Sequence, residues 1–217
     1  MTDPLLDRLT ADLKPVKPMR TWPLWGLAGA GLLIAALFVI FAYGPRPEMM
    51  ALSHGVWPAA FVVIGKPLLF LVTGLSALVS IGGLIRPEGR LRPMTLAPVG
   101  LLLLLVLVMF GVQYVSDGPA KVAKSLDGGD LLCFETIFFG GAIGFVALWA
   151  VWLRKAATAY PVTLGALSGL AMASLTAAAY AIHCNMDAPV YILLIYGASV
   201  ALFTAVAAVA GKKLFRW

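Results

Sequence analysis

Six runs of about twenty apolar residues, each bounded by a short cluster of charge, constrain this chain more than any other feature. Twenty residues of helix is the length that crosses a hydrocarbon core about 30 Å thick. Of the 217 residues 61% are hydrophobic and only 12% charged, more apolar surface than a water-soluble fold can cover. Inside a bilayer every backbone N–H and C=O must be satisfied within the protein. The sequence therefore predicts an all-α fold: a six-helix transmembrane bundle.

The spans are expected at 24–43, 57–84, 93–115, 133–153, 162–182 and 189–210. Residues 1–23 form a separate polar leader before the membrane domain of 24–217. In that leader Leu5, Leu6, Leu9 and Leu13 recur on one helical face, with Asp7, Arg8 and Asp12 elsewhere. Asp3 before Pro4 reads as an N-cap with proline at the first helical position. Pro15 and Pro18 end the helix by about Lys14, leaving a stiff basic linker. No small-residue cleavage pattern follows the first apolar run, so it is expected to stay as an anchor and not to be removed as a signal peptide. Rings near the predicted span ends (Trp22, Trp25, Tyr43, Trp57, Trp149, Trp152, Tyr160, Tyr180, Trp217) suit the headgroup level.

Lysine and arginine alternate between the two sides. One side holds Arg8, Lys14, Lys17, Arg20, Arg86, Arg90, Arg92, Arg154, Lys155, Lys212, Lys213 and Arg216, and the other only Arg46, Lys121 and Lys124. Cytoplasmic loops carry the excess of positive charge, so both termini are expected inside. The net charge of +6 is thus a topology signal and not a nucleic-acid footprint. The exterior face carries Glu48, Asp117, Asp127, Asp130 and Asp187, with Glu135 near the start of the fourth span, an acidic set able to attract cations.

That topology gives the two cysteines a compartment. Cys133 opens the fourth span and Cys184 closes the fifth, both at the outer interface. At equal depth on antiparallel neighbours they can approach disulfide geometry, or bind one soft metal ion as thiolates. His183 and Asp187, four residues apart, are further candidate ligands, and Glu135 a weaker one. Joint ligation by the adjacent His183 and Cys184 requires local unwinding near Asn185. Two lone cysteines are equally a structural staple or small buried hydrophobes. Lys66, about 14 Å into the second apolar run, costs roughly 2.5–3.5 kcal/mol to insert near the centre. It reads either as a functional group with a partner or, preferably, as a snorkelling side chain, or as the start of a span broken at Pro58 and Pro67. His54, near Met49 and Met50, reads as an ordinary loop residue. Glycine and alanine over 164–181 point to close helix packing. With no paired intramembrane carboxylates, HExxH, GxSxG, P-loop or CxxC, an enzyme is disfavoured.

The leader LLDRLTADLKPVKPMR running straight into a first span, the RPEG turn after the second, a cysteine opening the fourth, and the segment YAIHCNMDAPVYILLIYG together resemble the NrsF-type membrane anti-sigma factor family. The resemblance covers essentially the whole chain. Its most specific element is Tyr180-Ala181-Ile182-His183-Cys184-Asn185-Met186-Asp187, similar to a family segment in which Ala-x-His-Cys precedes a short polar turn. The family often has Pro-Glu-Asp where this chain has Asn185-Met186-Asp187. The resemblance implies a negative regulator that holds an extracytoplasmic-function (ECF) sigma factor at the inner membrane of a Gram-negative bacterium and releases it under metal or oxidative stress, with Cys133 and Cys184 as sensing residues. No obligatory cofactor is implied; a soft or heavy metal ion would be the signal. No direct nucleic-acid contact is expected. The leader stripe, taken as Leu5, Leu6, Leu9, Asp12, Leu13, Pro15 and Val16, suits a helix-in-groove contact with the sigma factor, or alternatively a helix lying on anionic lipid beside Lys14, Lys17 and Arg20. Rival functions are a small transporter or channel, suggested by Lys66 and the glycine-rich helices, and a membrane thiol oxidoreductase, which ordinarily needs a CxxC or a second cysteine pair.

Overall fold

The computed structural model describes residues 19–49, 58–127 and 131–215, with Ala11 alone in the leader. Six helices long and apolar enough to cross a membrane are present. They are α1 (Trp22–Tyr43), α2 (Pro58–Leu84), α3 (Ala97–Lys124), α4 (Leu131–Val151), α5 (Pro161–Tyr180) and α6 (Pro189–Leu214). A helix stands at each of the six expected positions, with shifted ends. Helix α2 passes through Pro67 without interruption, so the second run is one helix and not a span restarted at Lys66. Helix α3 extends beyond the expected end at 115, but Gly118 takes a φ of 76° ahead of Pro119 and breaks it there. Only glycine adopts that φ cheaply, and proline cannot supply the next helical hydrogen bond. Helix α5 ends at Tyr180, two residues early, and the chain to Pro189 is a turn followed by an extended segment.

Helix α5 is the axis of the bundle, buried along most of its length and packed against α1, α2, α4 and α6. Small residues allow this. A Cβ on Gly165 would come within 2.4 Å of the Ala207 carbonyl oxygen, one on Gly169 within 2.4 Å of the Ala207 Cβ, and one on Gly141 within 2.9 Å of the Ala173 Cα. Apolar burial does not drive helices together in lipid, so close backbone approach and van der Waals packing must hold α5 to α6 and α4. The close packing expected over 164–181 is what the helix shows. Helices α1 and α3, by contrast, turn most of their apolar surface outward, as lipid-facing helices do.

The ends of the spans are tied by hydrogen bonds. At the end bearing the cysteines, Val190 N–H donates to Gln113 Oε1 (3.1 Å), satisfying an early amide of α6. At the opposite, basic end, Trp152 Nε1–H donates to the Arg20 carbonyl (3.1 Å), Ala157 N–H to the Ile85 carbonyl (3.2 Å), and Ser80 Oγ meets Thr95 Oγ1 at 2.6 Å.

Candidate functional site

Cys133 sits in the first turn of α4 and Cys184 just beyond α5, and the antiparallel packing of those helices brings the two to one level. Their sulfurs lie 3.9 Å apart, both thiols are free, and both residues are buried. That separation is a thiol–thiol contact, about 1.9 Å longer than a disulfide bond. The Tyr180 hydroxyl lies 3.5 Å from Cys133 Sγ. A cavity of about 380 Å³ opens beside the pair, lined by both cysteines with Tyr43, Arg46, His183 and Met186 among others.

Three tyrosines, Tyr180, Tyr191 and Tyr196, pack around the sulfurs and are buried to within 2%. Tyr180 is therefore a core residue and not a member of the headgroup belt. A π-helical stretch, Ile192–Gly197, at the start of α6 widens the turn and lets Tyr191 and Tyr196, five residues apart, both face inward. Such widened turns recur at functional sites.

Beneath the thiols lies a buried ion network that charge counting did not reveal. Lys66 is 3% exposed and does not snorkel. Its Nζ donates to the Cys184 carbonyl (2.8 Å) and the Met186 carbonyl (3.1 Å), pairs with Asp187 Oδ1 (3.0 Å), and lies 5.0 Å from the centre of the Tyr196 ring. Arg46, 2% exposed, grips Asp187 with both terminal nitrogens and reaches Glu48 through Nε (3.3 Å). Its backbone N–H donates to the Ile182 carbonyl (3.0 Å). Two cations meet two carboxylates, the buried Lys66 and Arg46 sharing Asp187 and Arg46 reaching the half-exposed Glu48, so the buried cations are paired. Asp187 and Glu48 are thus engaged by protein cations.

The other predicted site residues divide. His183 flanks the pair, with Nδ1 2.9 Å from the Gly44 carbonyl and its ring against Tyr43 and Tyr180. Glu135 is exposed on α4. Among the described residues no group of three or more His, Cys, Asp or Glu side chains converges as a metal site. His54, Asp130 and the leader positions Leu5, Leu6, Leu9, Asp12, Leu13, Pro15 and Val16 lie outside the described residues.

Of the two thiols, Cys184 lies outside the helical spans. A hydrogen bond from the Cys133 thiol lowers its pKa below the ordinary thiol range, with the nearby Lys66 charge acting in the same direction against burial. A lowered pKa favours the thiolate, the reactive form of a cysteine.

Over residues 9–217, nearly its whole length, the chain matches the family described as negative regulator of sigma F, NrsF. It belongs to that family. No curated protein and no solved structure matches it. As an NrsF-family member the chain is a negative regulator of a sigma factor.

Proposed function

We propose that this NrsF-family chain holds an ECF sigma factor at the cytoplasmic face of a bacterial inner membrane and releases it when the Cys133–Cys184 pair is oxidised or takes up a soft metal ion. The observation that carries the reading is the 3.9 Å approach of two free thiols at the end of the bundle opposite the basic clusters. Alternation of Lys and Arg supports the reading in which those clusters lie inside and the thiols outside. Oxidation joins the sulfurs in one disulfide, releases two protons and passes two electrons to the oxidant. A soft cation instead displaces both thiol protons and bridges the thiolates. The two sulfurs are the ligands of such a site; His183 flanks them without completing a three-ligand group, and the exposure of Glu135 and the ion pairs of Asp187 argue against those two as ligands.

Helix α1 supplies a route to the leader. At its thiol end the loop 44–46 is held to the segment bearing Cys184 by the His183–Gly44, Arg46–Ile182 and Arg46–Asp187 contacts. At its basic end it meets Trp152, which follows the helix carrying Cys133. Drawing the sulfurs together displaces both holds on α1 and shifts the balance between sigma-bound and free leader, with the stripe of Leu5, Leu6, Leu9 and Leu13 as the contact. Cys133→Ser and Cys184→Ser should both reach the membrane at wild-type levels and keep a sigma-dependent reporter silent under metal or oxidant. Normal induction in both variants would refute the sensor.

A further inference from the structure

The geometry points to Lys66 as a positioning residue for the thiol pair: its ammonium organises the segment that carries Cys184 and so sets the distance between the two sulfurs. This rests on the sensor reading above. A lysine ammonium has three N–H donors and no acceptor. Here three acceptors lie within reach, and all belong to one short stretch: the carbonyls of Cys184 and Met186 and the carboxylate of Asp187. The chain after α5 is thus wrapped around a single buried charge, which arrives from α2, an element that carries no part of the thiol pair.

The arrangement answers a specific backbone problem. Helix α5 stops at Tyr180, and residues 184–188 have no regular hydrogen-bonding pattern, yet the segment lies at the edge of a membrane with Cys184 6% exposed. Orphaned carbonyls at such a place are costly. Lys66 satisfies the carbonyl of Cys184 itself, so the donor that fixes the backbone is one residue's length from the sulfur that must meet Cys133. Arg46 holds the same carboxylate through both oxygens, so Asp187 is shared between two cations. Replacing the ammonium by an apolar chain of similar length frees two carbonyls together and leaves the Asp187 carboxylate to Arg46 alone, and the Cys184 sulfur then samples positions beyond reach of Cys133.

The test uses the full chain in bacterial membranes and diamide as the oxidant. Two thiols become one disulfide, giving two protons and two electrons to the N=N bond, which becomes a hydrazine. Disulfide formation is followed by gel shift with a polymer-linked maleimide. Lys66→Met is expected to slow the reaction by about tenfold, as the loss of several net-favourable contacts predicts. Lys66→Arg, which keeps the charge and the donors, should recover to within about threefold, a rescue that a space-filling role would not produce. A wild-type rate in membrane-inserted Lys66→Met, or no recovery in Lys66→Arg, overturns the assignment. Should Lys66→Met not reach the membrane, Asp187→Asn decides: slowing of about threefold supports the role and a wild-type rate overturns it. Cys133→Ser and Cys184→Ser, assayed with the sigma reporter, separate the two ideas. Lost induction in them beside an unchanged disulfide rate in Lys66→Met removes only the positioning role. Normal induction in them removes the sensor reading, while the disulfide rates still decide Lys66.

Discussion

At the scale of single residues, the lowered pKa of the Cys184 thiol is the property with the most direct chemical consequence. The reactive form of a thiol is the thiolate, and a lowered pKa keeps that form populated at lower pH. Because the hydrogen bond from Cys133 is the largest cause of the lowered Cys184 value, the pH profile of Cys184 alkylation should have its midpoint below that of a free cysteine. In Cys133→Ala the midpoint should move upward, since burial, which raises the value, is then opposed by Lys66, Tyr196 and the Met186 backbone without the largest lowering contribution. Alkylation rates of the inserted protein across about pH 5 to 10 check this, and coincident profiles in the two proteins would contradict it. Cys133, Cys184 and His183 could be picked out from their positions in the chain. Lys66 and Arg46 could not be assigned this role: a lone lysine in an apolar run has the same appearance whether it snorkels or is buried, and only the fold brings Asp187 to it.

Among the elements, α5 and α6 have the most demanding contact. Gly169 meets Ala207, a side chain with no rotamer to yield, and an added Cβ would lie 2.4 Å from it. Gly169→Val should therefore destabilise the bundle by about 1–3 kcal/mol through overpacking. Gly26 on α1 has nothing within 4 Å of an added Cβ, and Gly26→Val is the matched substitution expected to leave stability nearly unchanged. Detergent-mediated unfolding followed by tyrosine and tryptophan fluorescence reads both; equal loss in the two would mean that helix propensity and not packing governs the effect. The abundance of small residues over 164–181 announced a packing helix. The π-helical turn of α6 had no comparable signal, since it follows from fitting Tyr191 and Tyr196 around the sulfurs in three dimensions.

For the whole molecule, the relevant property is the separation of a thiol end from a basic end, with α1 secured at both. Trp152→Phe puts a smaller phenyl ring in place of the indole and removes the N–H that holds the Arg20 carbonyl. One hydrogen bond is worth about 0.5–1.5 kcal/mol net, so under the proposed mechanism basal release of the sigma factor should rise roughly two- to tenfold, with the reactivity of Cys133 and Cys184 unchanged. Reporter output without inducer, measured beside thiol labelling, checks the pair of expectations. What the sequence alone determined is the set of six spans, the all-α class, the alternation of charge and the equal depth of the two cysteines. These follow from the one-dimensional rule that a bilayer imposes on length, polarity and charge. Only the tertiary structure decided that the thiols face each other, that Lys66 is paired, that Tyr180 is inside and that Glu135 is outside. Those depend on which faces of neighbouring helices meet, and in a bilayer where nearly every position is apolar, periodicity carries almost no record of facing.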